Sequence, residues 1–249
     1  MHPQFLCRQE CHPTVLNETN TLVSSDLVYG FRKHFESACT NTDLILINGS
    51  CADISTRYTR YAANYDEVER LGALWANAVI GTLDGKEIAD ASINVVRHNA
   101  MIPAANFFDE EQKREVLEHL ERKILECKDT QQRREYVSCR SVLVRSNYGT
   151  VGGCDAELGA MRIGNAVIFS MPFEYAAVDA DALREHLDKK YGCKSIACCY
   201  ANGYEGYLPS GRPLDKDSGY EDIASYFRHD SKLIVADEIE SLFDSIKFD

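Results

Sequence analysis

The order of apolar and polar positions predicts strands alternating with helices along the first part of the chain. Two apolar runs, Gln4 to Cys11 and Asp43 to Asn48, have the length and aliphatic content of buried strands. A helix follows each of them, the first from 26 to 38 with Ser25 as its cap, and the second from 65 to 80. Because four consecutive aliphatic residues make the 43–48 strand apolar on both faces, we expect it to be central and covered.

The rest of the chain continues the mixture with four strands and four helices. In order, these are strand 91–102, helices 109–127 and 131–145, strands 156–164 and 166–171, helix 175–191, strand 194–200 and helix 231–246. The dipeptide Gly164-Asn165 between two of the strands is typical of a hairpin turn. Strand–helix units combined with a hairpin predict a mixed α/β or α+β fold, in which helices flank a β-sheet core and residues 1–249 form a single domain.

Three loops follow strands, after Cys11, after Asn48 and after Tyr200, and strand ends are where scaffolds place chemistry. The last loop, Tyr200 to Glu221, is rich in glycine, proline and tyrosine. Long irregular loops are usually functional or disordered, and disordered segments are poor in aromatic residues. This loop is therefore a candidate wall of a site; a packed surface loop anchored by its tyrosines is the alternative.

Composition and charge narrow the class of partner. The net charge of −12 argues against nucleic acid or an anionic membrane surface, but it is compatible with an uncharged lipid substrate. No apolar run approaches the length of a transmembrane segment, and the N-terminus lacks the apolar core of a signal peptide. As written, the chain is expected to be cytoplasmic, with its ten cysteines as reduced, mostly buried thiols.

Single residues at the strand ends suggest chemistry, and each has a plainer alternative. His12 stands where a strand stops at Pro13, which suits a metal ligand or a surface histidine. Glu174 follows a buried strand, so its carboxylate could line a site or cap the next helix. Asp53 and Ser55 lie in a loop of small residues that could admit a ligand or form a polar turn. No Gly-x-Ser-x-Gly, His-Glu-x-x-His or Gly-x-x-x-x-Gly-Lys motif is present.

Four short motifs occur in a characteristic order along nearly the whole chain. They are His12-Pro13-Thr14 with the later Ser24-Ser25-Asp26 and Tyr29-Gly30; Asn48-Gly49 through Asp53-Ile54-Ser55; Met171-Pro172-Phe173-Glu174; and Ala201 to Tyr207 with the later Gly219-Tyr220-Glu221. Together they resemble the motifs of the neutral/alkaline ceramidase family, the N-acylsphingosine amidohydrolases. Ala52 and Phe173 stand where that family usually has glycine, and within the last motif the spacing from Tyr207 to Tyr220-Glu221 is one residue longer.

The resemblance implies a zinc site and a set of roles. The family binds one zinc ion through two histidines, a glutamate and a tyrosine, and three of these ligands match His12, Glu174 and Tyr207. Ser55 matches the family's active-site serine, and Tyr220 matches a tyrosine near the reacting carbonyl group. Two further residues in the matching motifs, Asp53 and Tyr204, are expected to contact the substrate.

The same resemblance leaves part of the family's site unmatched. The second histidine ligand belongs to a His-x-His segment upstream of the His-Pro motif, and this chain has no counterpart. The chain then corresponds to the C-terminal part of a ceramidase-like catalytic domain. The leading hypothesis is a zinc-dependent hydrolase of a linear amide that is incomplete without a missing N-terminal segment or a partner chain. An inactive remnant or binding protein of the same fold and an amidohydrolase with a non-lipid substrate are the alternatives.

This incompleteness leads to two expectations. The isolated chain should bind zinc poorly and show little or no amidase activity. Some apolar surface that further polypeptide would cover should be exposed.

Overall fold

The computed structural model describes residues 4–83, 92–104, 108–145 and 152–247, and within them the chain has a mixed α/β fold, as predicted. The strands are β1 (Gln4–Gln9), β2 (Asp43–Asn48), β3 (Ile93–Pro103), β4 (Gly153–Ile163), β5 (Ala166–Ser170) and β6 (Lys194–Cys198). The helices are α1 (Leu27–Ala38), α2 (Tyr65–Ile80), α3 (Glu110–Glu126), α4 (Thr130–Arg145), α5 (Ala177–Tyr191), α6 (Tyr220–Ala224) and α7 (Ser231–Ser245).

The strands form a two-stranded and a four-stranded sheet. The smaller sheet is a parallel pair of β1 and β2, and the larger sheet has the order β3-β4-β5-β6. Within the larger sheet β3, β4 and β5 are antiparallel, whereas β5 and β6 are parallel. The predicted hairpin between β4 and β5 is present, and Gly164 takes the left-handed φ of 60° that its turn requires. A hydrogen bond of 2.9 Å from Cys199 N to Asn48 O joins the ends of β6 and β2.

Buried apolar side chains hold the layers together. Helices α5 and α7 pack on one face of the four-stranded sheet, where Leu158 and Phe169 are fully buried and Phe243 meets Phe169 edge-on at 6.1 Å. Helices α1 and α2 pack together beside the small sheet around Phe31, which is fully buried. Helices α3, α4 and α6 form a further cluster that includes Leu143. No helix among the described residues is both long enough and apolar enough to cross a bilayer.

All ten cysteines fall within the described residues, and all of them are free thiols. Five are buried and five are partly buried, so their burial agrees with the expectation of small apolar residues.

The prediction that Ser25 caps α1 is wrong. The residue at the cap position is Asp26, which has a φ of 52° and makes no side-chain cap hydrogen bond. Its carboxylate instead accepts hydrogen bonds of 2.9 Å from the N–H groups of Val15 and Leu16. The cap residue of α1 thereby fixes the position of the segment that follows His12.

The prediction that β2 is central and covered on both faces is also wrong within the described residues. There β2 pairs with β1 alone, and the side chain of Ile45 is 46% exposed. Three apolar side chains within β3, an edge strand of the larger sheet, are also exposed: Ile93, Val95 and Met101. Four consecutive aliphatic residues indicate a strand, but neighbouring strands decide whether it is covered.

Two glycines let α1 and α2 approach closely. A Cβ atom at Gly72 would lie 2.2 Å from the carbonyl carbon of Gly30 and 2.5 Å from the backbone nitrogen of Phe31. We expect Gly72→Ala to lower the free energy of unfolding by about 2–3 kcal/mol, because this overpacking outweighs the roughly 1 kcal/mol that alanine adds to helix propensity. Urea unfolding measures the change. The control Asn77→Ala, on the exposed side of α2, should be neutral or slightly stabilising, and an equally stable Gly72→Ala protein would contradict the close approach.

Candidate functional site

Two isolated backbone bridges assemble the candidate site from four separate segments. His12 forms a parallel bridge with Ser55, and its N–H donates to Ile54 O at 2.9 Å. Glu174 forms a parallel bridge with Tyr207, and its N–H donates to Gly206 O at 2.9 Å. The two bridges meet where His12 Nε2 lies 3.3 Å from Glu174 Oε2. The backbone thus brings together the loops after β1, β2, β5 and β6.

Glu174 lies at the centre of this cluster and is 4% exposed. Tyr200 Oη donates to its Oε2 at 3.1 Å and Tyr204 Oη donates to its Oε1, while Tyr207 is held beside it by the backbone bridge. Three phenols and one imidazole therefore surround a single buried carboxylate. The cap position of the next helix is Ala176 and has no side-chain hydrogen bond, so Glu174 does not cap that helix, and its role in a site stays a prediction.

The tyrosines of the cluster are neutral hydrogen-bond donors. Burial raises the pKa of Tyr200, Tyr204 and Tyr207 well above the ordinary value for a phenol, and the negative charge of Glu174 raises each pKa further. At neutral pH each hydroxyl keeps its proton and can donate it to the carboxylate. The cluster thus compensates the buried charge with hydrogen bonds from neutral groups.

Ser55 begins a short 3₁₀ turn, Thr56–Tyr58, beside His12. Its Oγ accepts a hydrogen bond of 3.2 Å from Arg57 N, which leaves the hydroxyl proton available for donation. The hydroxyl of Thr56 donates to Thr14 O at 3.0 Å and holds the turn against the loop after β1. The turn therefore has a fixed position next to the imidazole.

Tyr220 lies at the edge of the same cluster. It is the first residue of α6, and its ring meets the ring of Tyr207 edge-on, with centroids 5.8 Å apart. Burial raises its pKa, the charge of Glu174 adds to the rise, and the charge of Arg57 opposes it. Tyr220 also lines an open groove of about 410 Å³ along α4, together with Val137, Ser138, Ser141, Val142 and Arg145.

The two expected substrate contacts have different surroundings. Asp53 Oδ1 accepts a hydrogen bond of 2.8 Å from Ala177 N, so this carboxylate stabilises the N-terminus of α5. Tyr204 is 62% exposed, and its ring stacks on Tyr200 with centroids 6.2 Å apart. A substrate contact from either residue stays a prediction, as do the catalytic and ligand roles of the other five.

Sequence reasoning missed two residues of the cluster, Tyr200 and Cys51. The thiol of Cys51 is fully buried and lies 3.2 Å from Tyr200 Oη, and burial raises the pKa of the thiol to about 11. The apolar pattern predicts Tyr200 as the last residue of a strand and Cys51 as a small apolar residue. The available signals are the tyrosine-rich loop that begins at Tyr200 and the motif from Asn48 to Ser55, which contains Cys51.

The donor set can be compared with what zinc requires. Among the described residues, no three His, Cys, Asp or Glu side chains converge as a metal site, so a site here depends on a phenol as third donor. His12 and Glu174 supply one nitrogen and carboxylate oxygens, Tyr207 supplies an oxygen, and all three meet in one largely buried cluster. Nitrogen and oxygen donors from three side chains suit a catalytic zinc ion, which keeps one position open. These three side chains therefore provide donor atoms of the types that zinc binds, and they lie in one cluster.

Comparisons with known proteins identify the fold. The structure is similar to a neutral ceramidase from Pseudomonas aeruginosa, with a TM-score of 0.65 and 15% sequence identity over 98% of this chain and 45% of that chain. It is also similar to a ceramidase complexed with C2, with a TM-score of 0.63 and 13% identity over 99% of this chain and 46% of that chain. No protein-family model and no curated protein sequence matches the chain.

These similarities define a ceramidase-like fold over nearly all of this chain. The chain spans less than half of the length of each ceramidase chain that it matches.

Proposed function

We propose that this chain supplies the zinc-binding and catalytic side chains of a hydrolase that cleaves a linear amide. The observation that carries the proposal is the convergence of His12, Ser55, Glu174 and Tyr207 in one cluster. The ceramidase-like fold supports the reaction class, since the two similar structures are both ceramidases.

In this proposal His12, Glu174 and Tyr207 hold the metal. Zinc supplies the Lewis acidity that makes water a nucleophile at neutral pH. Glu174 is already oriented by hydrogen bonds to its carboxylate, and His12 is fixed by its backbone bridge to Ser55. The protein therefore presents its donors without a rearrangement of the backbone.

Two hydroxyl groups are placed to act on the substrate. The Ser55 hydroxyl can donate to the amide carbonyl oxygen, because its bond from Arg57 N occupies only a lone pair. Tyr220 keeps its proton at neutral pH, and its hydroxyl is a second donor near the cluster. Donors directed at a carbonyl oxygen stabilise the negative charge that develops there in the transition state.

The groove beside Tyr220 is a candidate place for the acyl chain. It opens along α4, and two valines on its walls could contact an extended chain, beside two serines and Arg145. A ceramide-like lipid amide fits this surface, and a linear amide without a lipid chain is the alternative. Short-chain and long-chain N-acyl amides should therefore be compared as substrates.

A second candidate function is a binding protein of the same fold without turnover. The small number of metal donors favours this function. Within the described residues only three candidate ligand side chains meet, and one of them, Tyr207, is a protonated phenol. A protonated phenol is a weaker zinc ligand than a thiolate or an imidazole. Zinc binding and turnover must therefore be measured separately.

We expect the full 249-residue chain to bind one zinc ion weakly and to hydrolyse N-acyl amides slowly and only with zinc present. Calorimetric zinc titration and release of the fatty acid, with and without a chelator, measure both. Zinc binding without hydrolysis would favour the binding protein. Hydrolysis that survives chelation, or no zinc binding at all, would contradict the zinc hydrolase, whereas tight binding with fast turnover would show that this chain forms a complete site.

A further inference from the structure

Tyr200 occupies the position directly behind Glu174. Its hydroxyl donates to Glu174 Oε2 at 3.1 Å, and this is the same oxygen that lies 3.3 Å from His12 Nε2. Its ring meets the ring of His12 edge-on at 6.3 Å and stacks on Tyr204 at 6.2 Å. One side chain therefore contacts two of the three proposed zinc ligands.

The backbone of Tyr200 is held in a conformation that tyrosine rarely adopts. Its φ is 58°, in the left-handed region that is unfavourable for a residue with a Cβ atom. The neighbouring hydrogen bonds enforce this conformation, because Ala201 N donates to Met171 O at 3.0 Å and Glu205 N donates to Pro172 O at 2.7 Å. Strain of this kind persists where the surrounding structure fixes it, and it is concentrated at functional sites.

A buried thiol completes the arrangement behind the phenol. Tyr200 has a single hydroxyl proton, and that proton goes to Glu174, so the Cys51 thiol, 3.2 Å from the phenol oxygen, can donate to it; Asn48 Oδ1, 3.8 Å away, is a second acceptor for the same thiol proton. Cys51 is fully buried, so water does not compete for these bonds. When the thiol donates to Tyr200, the bonds run from Cys51 to Tyr200 to Glu174, and such chains strengthen each member.

We propose that Tyr200, supported by Cys51, is a positioning residue that fixes the carboxylate of Glu174 for metal binding. This inference rests on the proposed zinc site. The hydroxyl of Tyr200 restricts Glu174 to one orientation, and the exposed Tyr204 on the other oxygen can move away. Residues that orient a metal ligand from behind typically change metal affinity by about 10–100-fold.

The chain offers a matched control for this role. Tyr226 Oη donates to Glu205 Oε2 at 2.8 Å, a phenol–carboxylate bond in which neither His12 nor Glu174 takes part. Tyr200→Phe and Tyr226→Phe each remove one such hydroxyl and keep the ring. Any general effect of losing a buried hydrogen bond should appear in both variants.

The test is a zinc titration of the full chain against a competing chromophoric chelator. We expect Tyr200→Phe to weaken zinc binding by about 10–100-fold and Cys51→Ala to weaken it by less, while Tyr226→Phe stays within about twofold of the wild type. If Tyr200→Phe and Tyr226→Phe lose thermal stability alike and bind zinc alike, Tyr200 has only a structural role and the proposal is overturned.

A second measurement separates this proposal from the zinc site itself. Melting temperatures of Tyr200→Phe, Glu174→Gln and the double variant, without metal, should be non-additive by about 2–4 °C, because the two residues share one bond. The pair Tyr226→Phe and Glu174→Gln should be additive. If the wild-type protein binds no zinc but the melting temperatures of the Tyr200 and Glu174 variants are non-additive, the zinc site is refuted and the Tyr200–Glu174 restraint is retained. Additive changes in melting temperature for this pair would overturn the restraint.

Discussion

Glu174→Gln is expected to raise the dissociation constant for zinc by at least about 100-fold, to the limit of detection. The substitution keeps the size of the side chain but removes the only carboxylate that the three proposed ligands contain. Loss of a residue behind a ligand already costs about 10–100-fold, so loss of the charged ligand should cost more. Competition with a chromophoric chelator and the rate of amide hydrolysis both measure the loss.

The same variant should also be less stable without metal. Tyr200 and Tyr204 both donate to Glu174, and an amide nitrogen in place of one oxygen leaves a phenol without its acceptor. We expect a fall of a few degrees in melting temperature. Glu205→Gln is the matched control, in the loop after β6: it alters the partner of Tyr226 and should leave zinc affinity unchanged. Zinc affinity that survives Glu174→Gln would mean that the metal binds elsewhere.

Ser55→Ala is expected to lower turnover by about 100-fold or more while zinc affinity stays at its wild-type value. The backbone of Ser55 is bridged to that of His12, and its hydroxyl has a proton available for the substrate. Removal of a donor to a developing oxyanion typically costs roughly 10²–10³ in rate. Initial rates at saturating N-acyl amide, with zinc in excess, give the ratio.

A control is needed because Ser55 also caps the short turn that follows it. Loss of a cap of this kind costs about 1 kcal/mol of stability. Asn64→Ala removes a comparable cap from α2, where the side chain accepts from Glu67 N, and should lower stability without changing turnover. Equal turnover in Ser55→Ala and Asn64→Ala would show that Ser55 is a turn residue without a catalytic role.

The sequence predicted the helices and strands better than it predicted which residues pack around them. Periodicity and turn chemistry gave every helix of eight or more described residues and the β4–β5 hairpin at Gly164, because these depend on local preference. The coverage of β2 could not be predicted, because the exposure of Ile45 depends on which strands pair beside it. The cap of α1 was missed for a similar reason, since Asp26 bonds to Val15 and Leu16 in another loop.

For the candidate site, motif order located the loops but not their internal contacts. The four motifs indicated His12, Ser55, Glu174 and Tyr207, and the structure places these four residues together. No spacing rule could show that Tyr200 and Cys51 stand behind the carboxylate. That arrangement arises from contacts between segments distant in sequence, and from a positive φ that is rare for tyrosine.

The two isolated bridges also imply that the candidate site assembles late during folding. His12 and Glu174 meet only after the loops following β1, β2, β5 and β6 have all docked, and contacts of such long sequence separation form slowly. A nascent or partly unfolded chain therefore has no preformed group of ligands at this position with which to capture a metal ion from the cell. If the proposed zinc site forms, metal loading is confined to the folded protein, and the binding energy then adds to the stability of the native state.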